Sequence, residues 1–90
     1  MSWNRRSSVE IIGEILNLKR SRKTQIMYRV NMSHEQTAMY LDLLENKGLI
    51  EKYESNGRLI YETTERGVNL LERIEGVLNE LRPKERQDEF

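Results

Sequence analysis

The 90-residue chain contains no cysteine, one histidine and one proline. Because cysteine is absent, neither a disulfide framework nor a cysteine-ligated zinc site can form. The single histidine, His34, leaves too few imidazoles for most histidine-based metal sites. No stretch has the roughly twenty apolar residues of a membrane span, and no hydrophobic signal segment opens the chain. We therefore expect a soluble cytoplasmic protein that uses no metal and no cofactor.

The sequence also offers few residues that could form a catalytic site. A nucleophilic triad needs a base beside a serine or cysteine, and His34 lies at the start of a predicted exposed helix. Carboxylates are frequent, but none lies in an evident apolar pocket that would shift its pKa. The sequence has no glycine-rich phosphate loop. We therefore do not expect an enzyme, and no small-molecule ligand is evident.

The charge is balanced overall but unevenly distributed. Fifteen basic and fifteen acidic residues give a net charge of zero, which is unlike a simple nucleic-acid coat protein. Residues 1–32 carry seven basic and two acidic side chains, for a net +5. Residues 33–62 carry three basic and six acidic ones (−3), and residues 63–90 carry five and seven (−2). Positive charge is thus concentrated in the first third of a chain that is long enough for one domain.

The middle of the chain predicts a helix that runs into a β-hairpin. Ser33 and Gln36 have the spacing of a capping box, so a helix should begin near His34. Glycine accepts the left-handed conformation of a helix C-terminus, and Gly48 should end this helix. Its apolar stripe consists of Thr37, Tyr40, Leu41 and Leu44. Two strand-like runs, Leu49–Glu54 and Arg58–Thr63, flank Asn56-Gly57, a strong hairpin signal.

Three further helices are predicted around this centre. Ser7 and Glu10 form a second capping-box pair before Val9–Leu18, and Ser21 is the natural cap of a helix at Lys23–Val30. A last helix should run from Glu65 to Leu81, with Pro83 beyond its end. The chain should therefore be mainly α with a small β-hairpin, in the order helix, helix, helix, strand, strand, helix. This order is that of a winged helix-turn-helix domain.

We divide the chain accordingly. Residues 7–63 form the winged helix-turn-helix and residues 64–82 the C-terminal helix. Residues 83–90 form a disordered charged tail. Residues 1–6 form a flexible arm, which either touches a phosphate backbone or a dimer partner or is a frayed terminus.

The last helix carries an apolar seam of coiled-coil type, with 3-4-3 spacing. Its members are Leu71, Ile74, Leu78 and Leu81. The simplest cover for such a seam is the same helix of a second copy, which gives a two-fold homodimer. The alternative is that the seam folds back on the first helix of its own chain.

Several segments together resemble the small archaeal winged-helix DNA-binding proteins first known from Sulfolobus. The segments are Ser8–Leu16, Lys23–Tyr28, Asn31-Met32-Ser33, Thr37–Leu44 and Thr64–Gly67. The resemblance covers roughly Ser8 to Leu81. It implies a dimer held by antiparallel C-terminal helices, two winged-helix heads facing outward, and DNA binding without a cofactor.

The helix-turn-helix pattern and the grouped basic residues predict which residues form a DNA-binding surface. Phosphate contacts are assigned to Lys19, Arg20, Arg22, Lys23 and Arg58. Base contacts are assigned to the start of the recognition helix: His34, Gln36, Thr37 and Met39. Gln36 has the alternative role of closing the capping box, and Thr37 that of packing inward. Two acids on the exposed face of that helix, Glu35 and Asp42, would be repelled by phosphates.

The sequence therefore favours a dimeric winged-helix transcriptional regulator that binds double-stranded DNA and associates with the nucleoid. The alternative is a winged-helix module that binds a protein partner through the acidic helix and the wing, without binding DNA.

Overall fold

The computed structural model describes residues 6–82 of the chain. It confirms the predicted fold class, mainly α with a winged helix-turn-helix arrangement. The elements are α1 (Ser8–Asn17), β1 (Arg20–Ser21), α2 (Lys23–Val30), α3 (His34–Asn46), β2 (Ile50–Ser55), β3 (Arg58–Thr63) and α4 (Glu65–Leu81). The predicted arm and tail lie outside the described residues, apart from Arg6. No helix within residues 6–82 is long and apolar enough to span a bilayer.

Capping boxes open two of the helices, as predicted. At α1 the Glu10 N–H donates to Ser7 Oγ (3.1 Å), and the Ser7 N–H donates to the Glu10 carboxylate (2.9 Å). At α3 the Gln36 N–H donates to Ser33 Oγ (3.0 Å), and the Ser33 N–H donates to Gln36 Oε1 (3.4 Å). These bonds satisfy N–H groups that a helix start leaves without an intrahelical partner.

The prediction that Ser21 caps α2 is wrong. Ser21 belongs to β1, and the N-cap is Arg22, whose N–H donates to Gln25 Oε1 at 2.9 Å. The reason is a strand that the sequence did not indicate. Lys19 has a left-handed backbone (φ 71°) and turns the chain, so that its carbonyl accepts from the Thr63 N–H at 2.8 Å. This bond brings the next two residues alongside β3.

The three strands form an antiparallel sheet in the order β1-β3-β2. At the wing tip, Asn56 and Gly57 have φ values of 53° and 76°, the two left-handed residues of a type I′ turn. At the base of the wing, Gly48 (φ 74°) ends α3 in a Schellman motif. There the Leu49 N–H donates to the Leu44 carbonyl (2.9 Å) and the Gly48 N–H to the Glu45 carbonyl (3.0 Å).

One apolar core joins all four helices to the base of the sheet. Its buried members are Ile15, Leu16, Ile26, Val30, Leu41, Leu44, Leu49, Ile50, Leu71 and Ile74. α1 and α4 pack closely at Gly13, where a Cβ would lie 3.2 Å from Ile74 Cγ2. The N-terminal half of α4 is therefore part of the head rather than a separate arm.

The start of α4 is fixed to the joint between α3 and the wing, which we call the wing joint (Gly48, Leu49 and Thr64). The Thr64 N–H donates to the Leu49 carbonyl (3.0 Å), and its hydroxyl donates to the Gly48 carbonyl (2.7 Å). The same hydroxyl oxygen accepts from the Gly67 N–H (3.1 Å) and so caps α4. A Cβ on Gly67 would lie 2.2 Å from the Leu49 carbonyl oxygen. Only glycine fits here without moving the backbone.

Candidate nucleic-acid interface

Three of the predicted phosphate ligands line one groove between the start of α2 and the wing tip. This arginine groove has a volume of about 560 Å³ and is lined by Arg20, Ser21, Arg22, Gln25, Ser55, Asn56, Arg58 and Ile60. Arg20 and Arg22 stand on the wall formed by β1 and the N-cap of α2. Arg58 is the first residue of β3, directly after the wing turn. Guanidinium groups carry fixed positive charge and present several N–H donors, which suits them to phosphate oxygens.

Strand pairing fixes the position of Arg20 in this groove. Arg20 lies opposite Glu62 in the β1–β3 pairing. Its Nε donates to the Tyr53 hydroxyl oxygen at 2.9 Å, and the Tyr53 O–H donates to the Glu62 carboxylate at 2.5 Å. The hydrogen bond to Tyr53, with the charge of Glu62, raises the pKa of Arg20 above its ordinary value. The guanidinium group of Arg20 is therefore positively charged and is held in place by its hydrogen bond to Tyr53.

Tyr53 belongs to this site although the sequence analysis did not assign it. Its position in β2, the first of the two strands that the sequence predicted, gave no sign of an arginine partner. The contact depends on β1, which the sequence did not predict. The other polar lining residues, Ser21, Gln25, Ser55 and Asn56, were likewise not assigned to DNA binding. The Asn56-Gly57 turn was the one available signal, since it predicted a tip near Arg58.

Lys23 links the groove to the recognition helix. Its ammonium lies 3.2 Å from His34 Nε2 and 3.4 Å from Nδ1, so the first residues of α2 and α3 are side by side. Lys19 is apart from this group. It lies at the corner between α1 and β1, and its side chain does not line the arginine groove. The cations thus run from the wing tip through the start of α2 to the start of α3.

The predicted base-reading residues differ in their placement. His34, Gln36 and Met39 are exposed, with Met39 at 65%. The prediction for Thr37 is corrected, because its side chain is fully buried and cannot reach a base. Thr37 instead packs inward, which is the alternative that its place on the apolar stripe suggested. Gln36 closes the capping box, also as its alternative role predicted.

The solvent side of α3 has an unusual composition for a helix beside a basic groove. It consists of Glu35, Met39, Asp42, Leu43 and Asn46, all exposed, and we call it the outer face of α3. No lysine or arginine occurs anywhere in this helix. Leu43 is 41% exposed, whereas the neighbouring Leu41 and Leu44 are buried in the core. The outer face therefore offers carboxylates and apolar groups but no cation.

The predicted dimer seam divides into two halves. Leu71 and Ile74 are buried inside their own chain against α1, as the fold-back alternative proposed, and are not available to a partner. Leu78 is half-buried, whereas Leu81 is 74% exposed. Val77, which lies beside the seam, is 53% exposed. The residues Arg73, Gly76, Val77, Glu80 and Leu81 line a shallow surface that we call the exposed strip of α4.

No group of three or more His, Asp or Glu side chains that could hold a metal ion occurs between Arg6 and Arg82.

Comparison with known proteins agrees with this geometry. Among solved structures, the chain is similar to Sso10a-2, a DNA-binding protein from Sulfolobus solfataricus. The two share 30% sequence identity over 82% of this chain and 80% of that one, with a TM-score of 0.75. The transcriptional regulator BldR from Sulfolobus solfataricus matches at 22% identity over 80% of this chain and 56% of its own, with a TM-score of 0.75.

The MarR family transcriptional regulator Sco5413 from Streptomyces coelicolor matches at 16% identity over 83% of this chain and 56% of its own, with a TM-score of 0.72. At these identities BldR and Sco5413 show the fold alone, and the chain spans little more than half of their length. Comparison with curated protein sequences found no match. A family model described as winged helix-turn-helix matches residues 5–82. The chain therefore belongs to the winged helix-turn-helix family and groups with the archaeal winged-helix DNA-binding proteins first known from Sulfolobus.

Proposed function

We propose that this protein is a dimeric DNA-binding transcriptional regulator that acts at the nucleoid. The observation that carries the proposal is the continuous line of cations from the wing to the recognition helix. In a helix-turn-helix the second helix enters the major groove while the first crosses the backbone. The arginine groove and Lys23 lie beside α3, where they would contact the phosphate backbone if α3 entered the major groove. Its DNA-binding neighbour Sso10a-2 supports the same assignment.

The proposed dimer rests on the exposed strip of α4. A glycine inside a helix costs up to about 1 kcal/mol relative to alanine. The packing of residues 6–82 does not require glycine at position 76, because a Cβ there would have no neighbour within 4 Å among these residues. A close partner helix supplies the reason. Val77 and Leu81 beside it give the apolar contact that such a partner would cover.

The charges of the strip are complementary to themselves in an antiparallel pair. A two-fold axis between Gly76 and Val77 places Val77 of each helix over Gly76 of the other. The same axis places Arg73 opposite Glu80 of the second copy, so opposite charges meet at both ends. An interface around a two-fold axis must be self-complementary in this way. We therefore assign the homodimer contact to the exposed strip of α4, that is, to Arg73, Gly76, Val77, Glu80 and Leu81.

DNA binding is tested by fluorescence anisotropy with random-sequence duplex DNA across a salt series. Each phosphate neutralised adds about −0.9 to the slope of log K against log salt, so four to eight contacts in a dimer predict a slope of roughly −4 to −7. Changing both Arg22→Ala and Lys23→Ala should weaken binding strongly and flatten the slope. The matched control is Arg29→Ala, a cation in the last turn of α2 outside the groove. Absence of binding at low salt would refute the proposal.

The dimer is tested by sedimentation equilibrium. Val77→Lys places an unpaired charge at the centre of the proposed contact and should raise the dimer dissociation constant roughly a hundredfold. Gly76→Ala should also weaken the dimer, because the added methyl separates the helices. The control is Asn79→Lys, which adds the same charge to the opposite side of α4. A monomeric wild-type chain, or a dimer that tolerates Val77→Lys, contradicts the assignment.

A protein-interaction module is the second candidate function. It is favoured by the outer face of α3, which carries Glu35 and Asp42 and no cation. A module of this kind would bind a basic protein and would not respond to loss of Arg22 and Lys23. Strong DNA binding that depends on those two residues decides against it.

A further inference from the structure

We infer that the outer face of α3 reads a cytosine and a thymine within about two base steps of each other in the major groove. Glu35 is the reader of the cytosine and Met39 of the thymine. The inference rests on the proposed DNA binding, and it concerns which sequence is bound.

The structure leaves few candidates at the inserted end of α3. The His34 ring lies beside the Lys23 ammonium, at 3.2 and 3.4 Å. Gln36 Oε1 lies 3.4 Å from the Ser33 nitrogen and 3.3 Å from its hydroxyl oxygen, within the cap. Thr37 is buried. Glu35 and Met39 are the exposed side chains of this part of the helix that have no such role.

The chemistry of these two side chains restricts what they can contact. An ionised carboxylate has only acceptors, and the major-groove edges offer it two donors, the N4 amino group of cytosine and the N6 amino group of adenine. Adenine places its N7 acceptor beside that donor, which suits an amide, so cytosine is the better partner for a carboxylate. Guanine presents two acceptors there, and a carboxylate facing them would lose its hydration without gaining a bond. An exposed Met has no hydrogen-bonding preference but gains by covering the C5-methyl of thymine. Leu43, one turn farther along, is also apolar and widens that contact.

Their spacing fixes how far apart the two bases lie. Glu35 and Met39 are four residues apart on the outer face, which corresponds to about 6 Å along the helix axis. Stacked base pairs are about 3.4 Å apart, so the two contacts fall within two base steps. Glu35 also lies in the first turn of α3, where the N–H groups of the helix start favour a negative charge. This position offsets part of the repulsion from the phosphates on either side.

An acidic, apolar reading face has a consequence for affinity. It adds no attraction to phosphates, so within residues 6–82 non-specific binding comes mainly from the arginine groove and Lys23. Sequences without the matching bases leave Glu35 facing an acceptor or a phosphate. The protein should therefore discriminate among sequences rather than coat DNA uniformly.

The test begins with selection of bound duplexes from a random library by the full chain. We expect each enriched half-site to hold a cytosine and a thymine within two base steps. Replacing that thymine by deoxyuridine removes only the methyl group and should weaken binding about fourfold, the value of one buried methyl. Met39→Ala should reduce this difference between the thymine and deoxyuridine duplexes, and Leu43 accounts for any part that remains. The control Val9→Ala, an exposed apolar residue of α1, should keep the fourfold difference.

A second variant tests Glu35 independently. Glutamine pairs with adenine in the major groove, so Glu35→Gln should move the preference at that position from cytosine to adenine. The inference fails if no such pair is enriched, or if Met39→Ala leaves the thymine-to-deoxyuridine difference unchanged. In both cases an unaltered salt slope on random DNA shows that DNA binding itself stands. Absence of any DNA binding, with affinity of the outer face for a basic peptide, overturns the inference and the proposed function together.

Discussion

The arginine groove and the outer face of α3 are neighbours in one head, yet their chemistry is opposite. The groove brings together three guanidinium groups from separate elements. The outer face carries two carboxylates and two exposed apolar side chains on a single helix, with no cation. Phosphate contacts position a protein on DNA, whereas base contacts specify the sequence. In the proposed function these two tasks are assigned to different elements rather than shared by one.

The two surfaces are also fixed by different means. The groove depends on contacts between residues distant in sequence, such as the bond from Arg20 to Tyr53. The outer face is the side of α3 that remains when residues at helical spacing are buried. A change in one surface should therefore leave the folding of the other intact.

The largest effect should come from reversing charge in the groove. Changing Arg22→Glu and Arg58→Glu removes two phosphate contacts per head, or four in a dimer. Affinity for random DNA at about 0.1 M salt should fall at least a hundredfold. The slope of log K against log salt should become flatter by about 4, because four phosphate contacts are lost. Fluorescence anisotropy measures both quantities. The control, Arg29→Glu with Arg82→Glu, makes the same change in net charge outside the groove. Equal losses in the two variants would contradict a defined phosphate-binding surface.

The next largest effect should be on stability, at the contact between Gly67 of α4 and the wing joint. In Gly67→Ala the added Cβ would lie 2.2 Å from the Leu49 carbonyl oxygen and 2.6 Å from Thr63 Cγ2. We expect the free energy of unfolding to fall by roughly 3 kcal/mol, measured by urea denaturation.

The matched control for Gly67→Ala is Gly76→Ala, where the methyl meets no neighbour in the part of the chain that the structure describes. Both changes should be made in the monomeric Val77→Lys background, so that dimerisation does not contribute. Gly76→Ala should then raise stability by up to about 1 kcal/mol. Similar stabilities for the two variants would show that the close approach at Leu49 does not matter.

A third change reduces the contrast by adding a cation to the outer face. Asp42→Lys alters the charge of each head by +2 and should strengthen binding to random DNA about tenfold, with a salt slope steeper by about 2 for a dimer. Selectivity among sequences should decrease at the same time, because the added attraction is independent of sequence. Glu75→Lys, at an exposed position on the side of α4 away from the exposed strip, is the control. If Asp42→Lys has no effect on DNA affinity, the outer face does not approach DNA.

The smallest expected effect is at Thr37. Its buried hydroxyl has no hydrogen-bond partner among the described residues. Valine has nearly the same shape without the hydroxyl, so Thr37→Val should raise the free energy of unfolding by up to about 1 kcal/mol. DNA affinity and sequence preference should stay unchanged. A change in preference would restore Thr37 as a base-reading residue.

Much of the fold was predictable because its signals are local. Ser7 with Glu10 and Ser33 with Gln36 mark helix starts, while Gly48 and Asn56-Gly57 mark positions that need a left-handed backbone. Each signal lies within a few residues of the structure it specifies. The β1 strand had no such signal. It consists of two residues in a basic run, and it forms only because Lys19 turns the chain toward β3.

The candidate site was less predictable than the fold. Residue type identified the cations, but not which of them share a groove, since that depends on β1 and the wing. Thr37 was assigned to DNA because it lies near the start of the recognition helix, although its spacing with Leu41 and Leu44 places it inside. The seam on α4 looked uniform in sequence. The structure divides the seam, because Ile74 packs closely against Gly13 of the same chain and the seam residues beyond Ile74 become progressively exposed.

The wing joint has a consequence for the DNA sites that a dimer can occupy. Because Thr64 ties the start of α4 to the end of α3, a dimer formed through α4 holds its two recognition helices in a fixed rotational phase. Half-sites on one face of B-DNA are separated by whole turns of about 10 to 10.5 base pairs. Inserting five base pairs between them turns one half-site to the far side of the duplex. A head without a hinge at Thr64 cannot follow it, so binding should alternate with the helical repeat as the spacer is lengthened.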